Sequence, residues 1–298
     1  MIDSRRRGDQ SKRPPARRTY RILRLAVTIV VALFIIGLTS PPLWAAGILP
    51  PANPSANIAP RPNFDDSGEC TTSGASVRCP NPCVSTTGHF PAFDDGHACT
   101  LYVLRAINTA RASERVRAMV LPTNWQRLTV TEQLFVLADL ERTARGLPPY
   151  LGLNRTLSNT AQRAASLTQD PGLAPGFAVG VQSNGVVEAN GTFAAAETVL
   201  EADYGWMYED GWGGSVSATS NFDCTSASAS GCWGHRDALL GLYDRGGVGL
   251  SCRTCELGTG FAIVRGESSF TDLLERPRAT PPPMYFTWAR NVAPYLHG

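Results

Sequence analysis

The sequence predicts an α+β domain in which helices pack on a small antiparallel sheet, behind an N-terminal membrane-crossing segment. Two observations indicate this class. Apolar residues recur at helical spacing through the first part of the body, whereas strand-like runs lie mostly later in the chain. A basic N-terminus followed by an uncharged apolar run indicates the membrane-crossing segment.

Five helices are predicted from apolar spacing and from end signals. The first is indicated by the apolar positions between Leu101 and Ala110. The second begins at a capping box of Thr129 and Glu132 and runs to Arg145, where Gly146 stops it. The others start near Leu157, cover about Phe193 to Glu209, and follow His235 as far as Tyr243.

Strand signals come later in the sequence. Residues 247–252 and 260–265 are expected to form a hairpin, and 178–182 and 186–188 two further elements joined near Asn184. The tail after Glu275 is expected to be irregular, with its aromatic residues packed back on the domain (Tyr285, Phe286 and Trp288).

The N-terminal segments fix the expected topology. Residues 1–24 carry nine of the 27 Lys/Arg and two of the 25 Asp/Glu, so this basic tail is +7 and the rest of the chain −5. Residues 25–49 read as a signal peptide or a single transmembrane anchor, and both interpretations stay open. In either case the positive-inside rule places the body outside the cytoplasm, secreted or anchored.

The remaining segments follow from composition. A Pro-rich linker (50–68) precedes a Cys-rich segment (69–99), the main domain (100–275) and a C-terminal tail (276–298). Because the body is acidic, nucleic-acid binding is not expected. Partners are otherwise unknown, with lipid or cell-envelope components as candidates and the membrane reached through the N-terminal segment.

The eight cysteines are expected to form disulfides, because an exported domain folds in an oxidising compartment. Cys224 and Cys232 should pair locally. The first group allows three connectivities (Cys70, Cys79, Cys83 and Cys99). Cys252 and Cys255 are read as a structural bridge or turn, with redox catalysis and a zinc site shared with Cys79 and Cys83 as alternatives.

Several short motifs carry a resemblance to a known family. The helix ending LERTARGLP (140–148) is followed by Leu157, Ala161 and Ala165 at L-x-x-x-A-x-x-x-A spacing. WMYE (206–209), CWGH (232–235) and VGLSC (248–252) come next in order. From Thr131 to about Gly266 the chain resembles the CAP superfamily of cysteine-rich secretory, antigen 5, pathogenesis-related and bacterial SCP-like extracellular proteins. The resemblance implies an α-β-α sandwich.

The resemblance also implies a cleft with two histidines and two glutamates. His235 matches the second histidine and Glu209 the second glutamate, while Glu188 is the best match for the first. Where the family has a His-Ser pair, this chain has Gln182 and Ser183. Because an amide is a weaker ligand than an imidazole, no cofactor is expected, and a divalent cation such as zinc is a lesser alternative.

These residues support three functional hypotheses. The leading one is a ligand- or envelope-binding module, for which the resemblance implies sterols, fatty acids or envelope components. The second is a peptide or ester hydrolase in which His235 and Glu209 act as an acid–base pair. Its nucleophile would be one of three serines (Ser215, Ser217 or Ser220). The third is a structural cell-surface protein without a ligand site.

Overall fold

The structure is a computed structural model, and it describes the part of the chain on which the candidate site lies. The described residues are 52–58, 69–72, 75–78, 83, 96–172, 177–178, 185–188, 198–219, 221–242, 255–264, 267–277 and 283–296. All of them belong to one unit, Ile48–Gly298. The predicted cytoplasmic tail (1–24) and the whole of the predicted membrane-crossing segment (25–49) lie outside the described residues.

Five α-helices occur among the described residues, as the sequence predicts. They are α1 (His97–Ser113), α2 (Val130–Ala144), α3 (Arg155–Leu167), α4 (Val199–Tyr208) and α5 (Gly234–Leu239). The predicted capping box of α2 is confirmed, because the Thr129 hydroxyl accepts from the Glu132 N–H and the Glu132 carboxylate accepts from the Thr129 N–H.

A second capping box, missed in the sequence, starts α4. Thr198 and Glu201 satisfy each other's backbone N–H groups, and Thr198 has extended backbone dihedrals. Helix α4 therefore begins at Val199, later than the predicted Phe193, and residues 191–197 lie outside the described part.

Among the described residues, eight strands form a two-stranded hairpin and a six-stranded sheet. The hairpin pairs β1 (Glu69–Thr72) with β2 (Ala75–Arg78). The sheet has the order β4-β7-β6-β3-β8, with β5 also paired to β7. Its strands are β3 (Leu153–Asn154), β4 (Phe177–Ala178), β5 (Gly185–Glu188), β6 (Glu256–Val264), β7 (Glu267–Pro277) and β8 (Met284–Phe286).

The sheet confirms the α+β class but differs from the prediction in two details. Strand β3 pairs with β6 in parallel, so the sheet is mixed rather than antiparallel. The hairpin partner of β6 is β7, which follows it in the chain. The predicted partner (247–252) lies outside the described residues. The tail is not irregular, because β8 pairs with β3 and places Phe286 against Phe135 at 5.6 Å between ring centroids.

Helices lie on both faces of the sheet. On one face, buried side chains of α1, α2 and α4 share a core with Leu257 and Phe270. On the other face, Leu273 of β7 packs with Leu157 and Ala161 of α3. The backbones of α3 and β6 are close, since a Cβ built on Gly258 would lie 2.1 Å from a backbone carbon of Leu157.

The described disulfides agree with the predicted use of cysteine. Cys224 pairs with Cys232, as expected from the short loop, and Cys83 pairs with Cys99. Of the three connectivities predicted for the first four cysteines, only one contains the Cys83–Cys99 disulfide. The alternative zinc site is wrong, because Cys83 and Cys255 are both disulfide-bonded.

No helix in the described part of the chain has the length and apolar character needed to cross a membrane.

Candidate functional site

The candidate site lies where the end of α4 meets the start of α5. Helix α4 ends at Tyr208, and Glu209 is its C-cap residue. Asp210 follows Glu209 and lies outside the helix. Helix α5 starts after Trp233, whose φ of 66° is left-handed, and this turn brings His235 to the first turn of α5.

Asp210 and His235 form a buried carboxylate–imidazole dyad. His235 Nδ1 lies 2.7 Å from Asp210 Oδ1. Asp210 Oδ2 accepts hydrogen bonds from the backbone N–H groups of His235 at 2.7 Å and Arg236 at 3.1 Å. The Asp210 side chain is fully buried, whereas that of His235 keeps 22% of its surface exposed. One carboxylate thus fixes both the ring and the start of its helix.

The pKa of His235 is raised above its usual value. Burial lowers the pKa, but the hydrogen bond and the charge of Asp210 act in the opposite direction and prevail. The charges of Asp170 and Asp223 add to the increase. The imidazolium form of His235 is therefore present to a higher pH than in an unperturbed histidine.

The loop between α4 and α5 is held by covalent and close backbone contacts. The Cys224–Cys232 disulfide closes it, and the Asn221 amide donates to the Gly231 carbonyl at 2.5 Å. Gly211 lies directly under the Trp233 ring, because a Cβ there would be 2.2 Å from a ring carbon. These contacts fix the turn that carries His235.

A buried ion network lies beneath the site and joins four helices. Arg236, next to His235, contacts Glu114 at 2.7 Å and donates to the Met207 carbonyl at 2.6 Å. Arg145 contacts Glu114 at 2.6 Å and also pairs with Glu141. Glu141 accepts a hydrogen bond from the Tyr208 hydroxyl at 2.7 Å. This network therefore connects the helix that carries His235 to α1, α2 and α4.

Helix α2 and the residues that follow it also contact the end of α5. Arg142 lies over the Tyr150 ring, 3.9 Å from its centroid, and donates to the Leu240 carbonyl. The Tyr150 hydroxyl donates to the Leu239 carbonyl at 2.7 Å. The LERTARGLP stretch, which was read as a family pattern, thus positions the helix of His235.

Part of the Pro-rich linker contacts both sides of the dyad. The Ile58 N–H donates to the Tyr208 carbonyl at 2.9 Å and the Asn57 N–H to the Trp212 carbonyl at 3.0 Å. The Asn53 amide donates to an oxygen of Asp237, on α5, at 2.9 Å. Residues 52–58 therefore pack on the domain instead of acting only as a spacer.

The other residues selected from the sequence are placed as follows. Glu209 adjoins Asp210 in the chain and is 5% exposed. The backbone of Glu188 ends β5, opposite Ser269 of β7. Ser215 and Ser217 are exposed and hydrogen-bond to each other at 3.0 Å. Gln182, Ser183, Ser220, Cys79 and Cys252 lie outside the described residues.

Sequence reasoning selected His235 but missed its partner. The acid in contact with Nδ1 is Asp210, one position beyond the predicted Glu209. The sequence gives no local signal for this contact, because Asp210 lies 25 positions before His235. Which of two adjacent acids turns toward α5 depends on the C-cap dihedrals of Glu209, and these are not encoded in a local pattern.

One group of three possible metal ligands occurs among the described residues. The ligand atoms of Cys83, Cys99 and Glu201 lie within 4.8 Å of one another. The two sulfurs are joined in a disulfide, and the Glu201 carboxylate accepts the Thr198 N–H of the α4 capping box. These residues are therefore structural and lack the thiolates that would bind zinc.

Comparison with protein-family models, curated protein sequences and solved structures gives no match for this chain. The resemblance to the CAP superfamily therefore rests on the sequence motifs.

Proposed function

We propose that this chain is an extracytoplasmic, CAP-like binding module in which His235 contacts a hydroxyl group of the ligand. The observation that carries the proposal is the 2.7 Å bond between His235 Nδ1 and Asp210 Oδ1. It fixes the ring and leaves Nε2 as the nitrogen for a ligand. Helices on both sheet faces support the CAP-like sandwich, and the disulfides support an oxidising compartment.

A hydroxyl group can bind His235 in either of its protonation states. Neutral imidazole accepts a hydrogen bond at Nε2 and imidazolium donates one, and a hydroxyl can satisfy either form. A carboxylate suits only the imidazolium form, and the negative charges of Asp170 and Asp223 act on the same ring. Neutral hydroxyls occur in sterols and in envelope carbohydrates, so both are candidate ligands.

Two exposed apolar side chains, Phe222 and Val216, lie on the loop between α4 and α5. Phe222 is 82% exposed, and its neighbour Asn221 contacts the position of Gly234, directly before His235. Val216 is also exposed, and the Thr219 hydroxyl links its carbonyl to that of Asn221. An amphiphile could place its hydroxyl at His235 and its apolar part on Phe222.

A second candidate is a hydrolase in which His235 is the general base. The Asp210 bond favours it, because a carboxylate at Nδ1 orients an imidazole for proton transfer at Nε2. Ser215 and Ser217 bond to each other, so this geometry assigns neither to His235 as a nucleophile. The dyad alone is sufficient for ligand contact, which is why binding is preferred.

The test compares binding of cholesterol, palmitate and an N-acetylglucosamine oligosaccharide to wild type and His235→Gln. His97→Gln is the matched control, because His97 is an exposed histidine at the start of α1. We expect one hydroxyl ligand to bind, with about tenfold weaker binding to His235→Gln, the size of one lost hydrogen bond. The two hydroxyl ligands distinguish a sterol from a carbohydrate.

Two results would contradict binding as the function. Equal affinity of all three proteins for every probe would remove His235 from the ligand site. Turnover of a peptide or ester by wild type, lost in His235→Gln and retained in His97→Gln, would establish the hydrolase instead.

A further inference from the structure

We propose that residues 53–58, named here the strap, hold the Asp210–His235 dyad in its ligand-contacting geometry, so that displacing the strap switches the site. This inference rests on the proposed function, because it describes the regulation of the same site. It is built from backbone and side-chain contacts on both elements that carry the dyad.

The first set of contacts surrounds Asp210. Adjacent N–H groups of the strap, on Asn57 and Ile58, donate to the carbonyls of Trp212 and Tyr208. These two carbonyls lie on either side of Asp210 in the chain, two residues away in each direction. The Asn57 amide also donates to the Ala218 carbonyl at 3.0 Å. The strap therefore fixes the backbone on both sides of the carboxylate that orients His235.

The second contact is on α5. Asn53 donates to the carboxylate of Asp237, two residues after His235. Burial raises the pKa of Asp237, and the Asn53 bond partly opposes this by stabilising the carboxylate. The strap thus contacts both the chain segment of Asp210 and the helix of His235. The bond between Asp210 and His235 is a second, direct connection between the same two elements.

The burial of the strap increases along its length, from exposed residues at its start to partly buried residues at its end. Ile58 is partly buried and packs against the core, and Asn57 is half-buried. Residues 52, 53, 55 and 56 are exposed. A single hydrogen bond to an exposed residue contributes little net stability, so the exposed end can detach while Ile58 stays packed.

The position of the strap in the chain indicates which forces would displace it. It directly follows the segment that is expected to cross or to leave the membrane (25–49), through only a few residues. A pull on the chain ahead of residue 53, or competition by another extended segment for the Tyr208 and Trp212 carbonyls, would reach the dyad through the strap.

The experiment uses the full chain and needs no ligand, so its failure is distinguishable from failure of the binding proposal. Wild type is compared with Asn53→Ala/Asn57→Ala, with Ile58→Pro, which lacks the N–H that bonds Tyr208, and with Ser55→Ala. Ser55 is the matched control, because it is an exposed residue within the strap. Mass spectrometry follows amide hydrogen exchange, and deuterium exchange at the His235 ring carbon Cε1 gives its pKa.

In the double variant and in Ile58→Pro we expect the His235 and Arg236 amides to exchange about tenfold faster, the size of one or two lost hydrogen bonds. The pKa of His235 should fall, because its contact with Asp210 loosens, and Ser55→Ala should match wild type. Unchanged dyad amides and an unchanged pKa of His235 in both variants, with the strap amides exchanging freely, would overturn the proposal. Loss of protection throughout α2 would also overturn it, because the strap would then stabilise the whole domain.

Discussion

At the scale of single residues, the fully buried Asp210 carboxylate has a role that no other described side chain shares. It accepts three hydrogen bonds, from the ring and the N–H of His235 and from the N–H of Arg236. The negative charge is stabilised by these donors, and in return it raises the pKa of the ring. Charge and geometry at His235 therefore have the same origin.

Asp210→Asn should lower the pKa of His235. The amide keeps a similar shape but carries no charge, so the effect of burial, which lowers the pKa, is no longer outweighed. Asp223→Asn is the control, since Asp223 acts on His235 only through its charge and should give a smaller decrease. Ring-proton NMR titration measures both, and equal decreases would show that the hydrogen bond with Asp210 has no special effect.

At the scale of helices and strands, close approach of α3 to β6 sets the thickness of one layer. Gly258 and Gly260 lie against the α3 backbone near Leu157 and Ala161. A side chain at either position would push the helix away from the sheet. Glycine at these two positions of β6 therefore allows α3 to pack closely on the sheet and does not mark a turn.

Gly258→Ala should destabilise the domain by about 1–3 kcal/mol, as overpacking does in other cores. A Cβ there would lie 2.1 Å from a backbone carbon of Leu157, which cannot move aside without shifting α3. The control is Gly205→Ala in α4, where the added Cβ would meet no atom within 4 Å outside the helix's own backbone, and helix propensity should add about 0.5–1 kcal/mol. Urea unfolding measures the two, and a neutral Gly258→Ala would contradict the packing described here.

The sequence predicted the helices better than the sheet, for a physical reason. The capping box at Thr129 is a local signal, and α2 begins there. Strand β7 is central, yet it carries polar residues such as Ser269 and Asp272 in buried positions, so the alternation that marks a strand is missing. Strand β8 has three residues and depends on pairing with β3, which is distant in sequence.

The candidate site was likewise predicted only in the part that carries a local motif. His235 was predicted because a short motif surrounds it, while Asp210 and the strap required the tertiary structure. The contact between Asn53 and Asp237 spans 184 positions in the chain, and no local pattern indicates it.

At the scale of the whole molecule, the core contains several buried carboxyl groups. Asp139, Asp203 and Asp272 are at most 2% exposed. Burial raises the pKa of Asp272 to about 7 and, although Tyr150 and Arg142 oppose it, that of Asp139 to about 8. The pKa of Asp203 is also raised, by burial and by the charge of Glu141. The folded state therefore holds protons that the unfolded state releases near pH 4.

The domain should lose stability as the pH rises from about 4 to about 8. Over this window the unfolded state binds fewer protons than the folded state, so the free energy of unfolding decreases with pH. Asp272→Asn should flatten the dependence and remove roughly 1–3 kcal/mol of the loss between pH 5 and pH 8. Asp170→Asn, at an exposed aspartate, is the control. Urea titrations at the two pH values measure this, and an equal slope in wild type and Asp272→Asn would contradict it.

We propose that a ligand hydroxyl contacts His235 and that the exposed Phe222 contacts the apolar part of the ligand. Photoaffinity labelling of the full chain with a diazirine derivative of whichever hydroxyl ligand binds tests this claim most directly, with His235→Gln labelled in parallel. We predict that the label maps to residues 206–242 and decreases about tenfold in His235→Gln, as the loss of one hydrogen bond implies. Labelling confined to other parts of the chain, or equal labelling of the two proteins, would contradict the assignment of the site.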